Sequence, residues 1–541
     1  MKNNKIEKVI SSSISQYFAN NLQQIGFSSN TKAVLTSVKE MTDNALDACQ
    51  EFGVLPDVYI ELERLGSGLI KGSDKIKLTV RDNGPGIPKE SIAKVYGEYL
   101  ASSKAGKSRP TRGVQGIGGV AVTAWAQATN AQGAKVTTKQ EGAKKAEQCY
   151  VEVDIKTNTG TIREPKQVEV DFIHGTQVEF IFDGKIQLNG EAGILTYLNG
   201  TALVNPSLRL TYKMPDEAPV IIDRVSEEIR IIPPATSPHP HTMKLGDFIS
   251  HAGIFHNIKV RYWLQDSFSK ITDSAINELV KNGLDKKLLI KNIDDLTEPE
   301  KKELYSKIQD IKLAPPSTKS VSSIGEENLE KSIKRLGNVD FFSVITREAT
   351  ICDFRPVQVE IALARLSDIK DQDSPVQVLR FANLVPLQFD KKACVCTQAI
   401  ESVNWKAYGL SQPKDSVPVG PFVFAISITS PFIKFKNASK ETIDASDELL
   451  QEIRLALIQA GQKLAKFVKK EEKEEDLERK RQYIEMFAPV LIKYLQKVTD
   501  CSNKDKTDAE AGLKKILGRD INEVSLDLDK VNKKIEKESK E

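Results

Sequence analysis

The amino-acid sequence predicts an α+β multidomain protein: a mixed sheet covered by helices, then a helical insertion, then a second strand-rich domain ending in a long helix. Three observations predict it. Strand-like alternation at residues 58–63, 75–80, 150–155, 177–182 and 208–212 is interleaved with helical periodicity. The prolines Pro233, Pro234, Pro238 and Pro240 then mark a boundary, beyond which helical patterns follow one another with breaks at Gly246, Gly253 and Gly283. From Leu313 the strands return, and residues 445–468 form a strongly helical close. A chain of 541 residues has room for about three to four domains of ordinary size.

Composition sets outer bounds. A hydrophobic share of 40% suits packed cores, and 28% charged residues suits a water-exposed surface. No apolar run is long enough for a membrane span, and the N-terminal MKNNKIEKVISSS lacks the apolar centre of a signal peptide, so a cytoplasmic protein is expected. With 77 basic against 74 acidic residues, any polyanion must be met by local patches and not by a global field. The cysteines at 49, 149, 352, 394, 396 and 501 form no C-x-x-C pair and are expected to be reduced, with Cys394 and Cys396 on one side of a strand if they lie on one.

The first element, residues 37–52 with the turn before it, places Val34, Val38, Met41, Ala45, Ala48 and Phe52 on one side of a helix. Glu40, Asn44 and Asp47, spaced i, i+4, i+7, form a second narrow stripe beside it. A carboxylate, an amide oxygen and a second carboxylate are therefore expected over one point. Mg²⁺ takes oxygen ligands and keeps several waters, so the Asn44 oxygen with substrate phosphates is a plausible shell, leaving Glu40 to polarise a water. A surface helix with scattered polar residues is the alternative for this stretch alone.

The next two segments add to it. The strand at 75–80 runs into Asp82-Asn83-Gly84-Pro85-Gly86-Ile87, where an Asp at a strand end can accept from an exocyclic amine such as adenine N6, and the glycines let a flat ring approach the backbone. Further on, Gly113-Val114-Gln115-Gly116-Ile117-Gly118-Gly119 leads into a helix-compatible segment from Val120, whose bare N–H groups can cradle phosphates. A lone glycine run is weak evidence; third in a fixed order, it is not. His174-Gly175-Thr176 opens the strand at 177–182, so that Thr176 can reach Asp82 or the base.

Together these residues resemble the GHKL ATPase superfamily, the ATP-binding fold of gyrase B, Hsp90, histidine kinases and MutL. Within it, Leu100-Ala101-Ser102-Ser103-Lys104, Thr111-Arg112-Gly113-Val114-Gln115-Gly116-Ile117-Gly118, Leu313-Ala314-Pro315-Pro316, Ile324-Gly325-Glu326-Glu327 and the blocks 379–386 and 401–409 are similar to the topoisomerase VI B-subunit family. The resemblance implies a strap at residues 1–30, a GHKL (Bergerat) ATPase α/β sandwich at 31–225, a helix-two-turn-helix insertion at 226–312, a ribosomal-S5-like α/β transducer at 313–468, and a helical region at 469–541 that docks the A subunit. It also implies the roles. Asn44 holds Mg²⁺, Asp82 with Gly86 and Thr176 receives adenine, and Ser103, Lys104, Gly113, Val114, Gln115, Gly116, Ile117, Gly118, Gly119 and Val120 wrap the phosphates of ATP. Glu40 orients or deprotonates the attacking water, and Lys440 senses the γ-phosphate.

The remaining segments are read beside this. Lys440 follows Lys434 and Lys436 on one loop, and a solvated basic loop is the reading without the resemblance. His239 and His241 have no acidic or cysteine partner at ligand spacing and read as a boundary loop. The mixed-sign run 469–481 is a solvated helix, after which Tyr483, Phe487, Leu491, Tyr494 and Leu495 restore an apolar stripe. Residues 501–541 are highly charged and read as partly disordered. A histidine kinase would need a phospho-acceptor upstream, yet the first histidine is His174; a gyrase-like cleavage domain would need more than the acidic pairs Asp371/Asp373 and Asp527/Asp529. None of the 12 tyrosines has a metal-binding acidic setting for cutting DNA, so cleavage is expected from a second polypeptide. The resemblance implies an A2B2 assembly with that polypeptide, ATP-driven self-dimerisation of this chain, and double-stranded DNA as substrate at the nucleoid. A binding module without turnover is the alternative from another class.

Overall fold

The computed structural model describes residues 21–99, 108–113, 116–369, 371, 373–437, 439–499, 502–509 and 511–512. The strap residues 1–20, Ser103, Lys104, Val114, Gln115, Cys501 and the pair Asp527/Asp529 lie outside these. The chain divides into two compact units: residues up to 406 with 410–461, and residues 407–409 with those from 462 on.

The first unit opens with helix α1 (Asn30–Phe52), started by the Ser29 side chain accepting from the Lys32 N–H at 3.2 Å and stopped by Gly53 in the left-handed region. It is followed by β1 (Asp57–Ser67), β2 (Asp74–Arg81), α2 (Lys89–Gly97), α3 (Gly118–Asn130), β3 (Ala134–Lys139), β4 (Ala146–Asp154), β5 (Thr159–Val168), β6 (Gly175–Gly184), α4 (Ile194–Val204), β7 (Arg209–Lys213) and β8 (Val220–Ile222). Among the described residues the strands make an eight-stranded sheet in the order β5-β4-β3-β6-β2-β1-β7-β8. Only the β1–β7 pairing in it is parallel.

Strand alternation decides the two faces. Val58, Ile60, Leu62, Ile76, Leu78, Val80, Val178, Phe180 and Phe182 point inward and are covered by Val34, Val38, Met41 and Ala45 of α1 and by Ala121 and Val122 of α3. The opposite face carries a cross-strand row of opposite charges. Lys213 pairs with Glu61 at 2.7 Å, Lys77 with Glu63 at 3.0 Å and Glu179 at 3.6 Å, and Lys135 with Glu179 at 2.9 Å, so the row crosses β7, β1, β2, β6 and β3.

The middle block is helical: α5 (Leu245–Ala252), α6 (Val260–Ser267), α7 (Asp273–Lys281), α8 (Lys286–Ile290) and α9 (Glu298–Asp310), around Phe248, Trp263, Phe268, Leu279 and Leu304. Gly246, expected as a break, sits in the first turn of α5, where an opening residue makes no intrahelical N–H bond and glycine does little harm. His239 and His241 serve structure: their Nε2 atoms are 3.2 Å from the Ala314 carbonyl and 3.0 Å from that of Ile308, and both rings pack on Phe354.

The last part of the unit contains α10 (Glu326–Ile333), β9 (Val339–Thr346), β10 (Thr350–Cys352), β11 (Arg355–Leu366), β12 (Gln377–Ala382), β13 (Val385–Pro386), α11 (Val395–Ser402) and β14 (Phe422–Thr429). Its sheet runs β10-β11-β14-β12-β13, with β9 on β11. Cys394 and Cys396 are not on a strand: Cys394 caps α11 and Cys396 lies in its first turn, both buried.

Helix α12 (Asp447–Thr499) closes this sequence of elements. In the second unit its run 469–481 makes the i,i+4 pairs Lys470–Glu474 at 3.7 Å and Lys480–Asp476 at 3.2 Å. Tyr483, Phe487, Leu491, Tyr494 and Leu495 are all exposed, as are Met486, Val490 and Val498 on the same stretch. No helix among the described residues is long and apolar enough to cross a membrane.

Candidate active site

The face of α1 that is not packed on the sheet forms one wall of a cavity of about 320 Å³, lined by Glu40, Asn44, Asp82, Gly86, Gly113, Gly116, Ile117, Gly118, Gly119, Thr176 and Lys440. Segments far apart in sequence are thus brought together at one place.

One end holds a buried carboxylate beside a glycine turn. Asp82 follows β2, and its Oδ1 accepts the Gly84 N–H at 2.8 Å and the Thr176 N–H at 3.2 Å. Oδ2 accepts no bond among the described residues, which leaves it for a donor in the cavity. Burial pushes the Asp82 carboxyl up to about 6, partly offset by the Gly84 and Thr176 N–H groups. Gly86 has φ +73°, and a Cβ there would lie 2.4 Å from the Lys139 carbonyl oxygen, so the turn admits only glycine. Val80, Ile87 and Val178 add apolar lining.

Thr176 reaches Asp82 through its main chain. Its hydroxyl is instead 3.1 Å from that of Thr138, whose oxygen takes the Ile87 N–H at 2.7 Å. Nothing in the sequence singles out Thr138, which lies in a short Lys/Thr-rich strand. His174 holds the same turn, with Nδ1 2.8 Å from the Gly84 carbonyl. The Asn83 side chain faces away: it accepts the Asp57 N–H at 2.8 Å and donates to the Leu55 carbonyl at 3.0 Å.

The opposite end is polar. Gly118 begins α3, and a Cβ at that position would sit 1.9 Å from Glu40 Oε2, so the absent side chain is what lets the carboxylate lie against the helix start. A Cβ on Gly113 would meet Asn44 Oδ1 at 3.3 Å, and one on Gly119 would meet Asn44 Nδ2 at 3.7 Å. Gly116 has φ +61°. No side chain caps α3, so its first N–H groups are available to an anion. Val120, expected at the site, is not among the residues that line the cavity: its side chain is buried with Tyr99, Ala124 and Val153.

Asp47 has protein partners of its own: Arg112 Nη1 lies 2.8 Å from its Oδ1, and its Oδ2 takes the Gly113 N–H at 2.9 Å. A buried guanidinium needs a carboxylate more than a hydrated cation does, and it withdraws Asp47 from any metal shell. Among the described residues no cluster of His, Cys, Asp or Glu is placed to hold a metal. The site therefore fits a Mg²⁺ held by the Asn44 oxygen together with phosphates and water, not an all-protein cage.

Lys440 arrives from the far domain. It has a left-handed φ of 54° beside Ser439, and its Nζ donates to the Arg112 carbonyl at 3.4 Å. Its neighbours are engaged elsewhere: Lys434 pairs with Asp444 at 2.5 Å, and Lys436 donates to the Ala393 carbonyl at 2.7 Å. The loop is pinned to α1 by Glu441, 3.1 Å from Lys32 Nζ, which also lies 4.1 Å from the Phe389 ring centre. Lys39 and Phe389 line the cavity, and spacing could not have shown this.

A pH dependence follows from Asp82. If a nucleotide amine donates to the open Oδ2, protonation there turns the acceptor into a donor, so nucleotide affinity should fall as pH drops through about 6. Titration calorimetry with a non-hydrolysable ATP analogue at pH 7.5 and pH 5.5 checks this, with Asp82→Asn expected to bind weakly at both. Equal wild-type affinity at the two pH values would remove Asp82 from adenine recognition.

Known proteins share these features. Residues 30–170 match the histidine kinase-, DNA gyrase B-, and HSP90-like ATPase family, and residues 316–480 match the transducer family of the topoisomerase VI B subunit. The chain is similar to the B subunit of type 2 DNA topoisomerase 6 from Methanococcoides burtonii, 33% identical over 507 residues, covering 94% of this chain and 79% of that protein. It is 30% identical to the Archaeoglobus fulgidus protein of the same name, covering 94% of this chain and 82% of that one. For the Methanosarcina barkeri protein the figures are 32%, 94% and 80%.

Proposed function

This chain belongs to the family of type 2 DNA topoisomerase 6 B subunits, and from that premise we propose that it is the ATP-operated clamp of a two-component enzyme that passes one DNA duplex through another. It is the ATP-hydrolysing component of an ATP-driven type II topoisomerase. One observation carries the finer reading: a lysine of the transducer region, Lys440, lines the same cavity as Glu40, Asn44 and Asp82. A cavity walled by two domains can make nucleotide state and domain position depend on each other.

In this reading Asp82 Oδ2 accepts the adenine amine, and the turn at Gly84 and Gly86 admits the ring. The main chain of residues 113–120 and the start of α3 bind the phosphates, joined by Ser103 and Lys104 of the lid. Asn44 Oδ1 would hold a Mg²⁺, which would supply positive charge against the bound phosphates. Glu40, held beside Gly118, orients the attacking water and takes its proton as the water oxygen bonds to γ-phosphorus and the ADP oxygen leaves. Lys440 supplies positive charge where the γ-phosphate's negative charge is greatest.

ATP binding draws two copies together through their N-terminal straps, and the exposed stripe Tyr483, Phe487, Leu491 and Tyr494 docks a cleaving A subunit, giving an A2B2 assembly at the nucleoid. The domain limits are those of the sequence: strap, ATPase domain, helix-two-turn-helix insertion, transducer and C-terminal helical region. Purified alone, the chain should hydrolyse ATP slowly and leave supercoiled DNA uncut. Mixed with the cleaving partner it should relax DNA only when ATP is present. A non-hydrolysable analogue with Mg²⁺ should double its mass in light scattering, and Lys440→Ala should weaken that response. A covalent DNA adduct on this chain alone, or relaxation without ATP, would overturn the proposal.

A further inference from the structure

The phosphate loop is fastened to the ATPase domain through one arginine that the reaction itself does not use. The Arg112 side chain is 1% exposed. Its Nη1 donates to Asp47 Oδ1 at 2.8 Å and to Gln50 Oε1 at 3.0 Å, and its Nη2 donates to Asn205. Asp47 and Gln50 lie on α1, the helix that carries Glu40 and Asn44. Asn205 follows α4, and its Nδ2 also donates to the Leu384 carbonyl at 3.3 Å. The planar fork is thus held from two directions, which a lysine ammonium could not reproduce.

The main-chain N–H of the same residue also donates to Asp47 Oδ1, at 3.4 Å, whereas its carbonyl has a different partner. Its carbonyl accepts Lys440 Nζ at 3.4 Å, while the next N–H, that of Gly113, is held by Asp47 Oδ2 at 2.9 Å. A lysine on a flexible stem has no direction of its own and takes it from the acceptor it finds. Arg112 supplies that acceptor, and the clamp on its side chain fixes where the acceptor is.

We propose that Arg112 is a positioning residue for hydrolysis: clamped on α1 and α4, it holds its carbonyl where Lys440 lands and so aims the transducer's cation at the nucleotide. This rests on the function proposed above, in which Lys440 serves the γ-phosphate. Arg112 would act through Lys440 and not on adenine, because Asp82 and the Gly86 turn lie at the other end of the cavity.

A double-mutant cycle on the full-length chain tests it, with kcat and KM for ATP measured separately for wild type, Arg112→Lys, Lys440→Ala and the double variant. Arg112→Lys keeps the charge and loses the fork. Its kcat is expected to fall on the order of tenfold or more, with KM within about twofold of wild type. The double variant should be no slower than Lys440→Ala by more than about twofold, since residues acting as one unit are not additive. Losses that multiply, a normal kcat for Arg112→Lys, or a loss confined to KM would each overturn the proposal. Thermal melting identifies a misfolded Arg112→Lys; in that event Gln50→Ala, which removes one acceptor only, enters the same cycle with the same expected non-additivity, and multiplying losses there overturn the proposal equally. Wild-type turnover is measured first, so failure of the ATPase reading is seen before any variant is compared.

Discussion

Glu40→Gln is expected to lower ATP turnover by about 10²–10⁴-fold, the range for removing a positioned general base, while nucleotide still binds. The reason is geometric. The Glu40 carboxylate lies against the start of α3 only because Gly118 has no side chain, a Cβ there falling 1.9 Å from Oε2. Gln preserves the size of the group and loses the basic oxygen, so the phosphate loop need not move. In the proposed function adenine recognition falls to Asp82, whose Oδ1 bonds to Gly84 and Thr176 do not involve Glu40. Analogue affinity by calorimetry should therefore stay within about threefold of wild type while kcat collapses. Wild-type turnover in Glu40→Gln would end the assignment. Gly118→Ala should imitate the loss by displacing the carboxylate, and a fully active Gly118→Ala would show that the closeness of these groups is unimportant.

The second large effect is expected far from the nucleotide. Charged replacement of Phe487 and Leu491 together should abolish co-purification with the cleaving partner and so abolish DNA relaxation, while leaving ATP binding unchanged. Along α12, Tyr483, Phe487, Leu491 and Tyr494 recur at helical spacing and are 61%, 48%, 61% and 66% exposed. Burying one such side chain in a partner contributes about 1.5–3 kcal/mol, and introducing a carboxylate there adds a desolvation cost, so two replacements exceed what a protein interface can absorb. Pull-down of the cleaving partner with wild-type and doubly substituted chains reads this directly. An undiminished yield would move the docking surface elsewhere.

What can be read in the sequence is what a single element encodes. The inward stripe Val34, Val38, Met41, Ala45 of α1, the Asp82 turn and the glycines ahead of α3 are local patterns, and each is where its spacing puts it. What cannot be read is pairing across the chain. Asp47 has the same spacing credentials as Asn44, and only the position of Arg112 decides that its carboxylate is already engaged. Thr138 reaches the Asp82 end of the cavity because β3 lies beside β6, and the lysines and threonines of β3 hide so short a strand from any apolar pattern. Strand β5, exposed along most of its length, carries almost no apolar signal. A strand period would set Cys394 and Cys396 side by side, yet the chain turns into α11 between them.

The charged row on the open face of the ATPase sheet has a bearing on the duplex itself. Lys213, Lys77 and Lys135 are each already matched to Glu61, Glu63 or Glu179 across neighbouring strands. A backbone phosphate approaching this face must first displace a carboxylate, which then stands exposed beside it. The counterion release that drives protein–DNA affinity is largely forfeited in such an exchange. The row thus presents cations already matched by carboxylates and gives a polyanion little to bind.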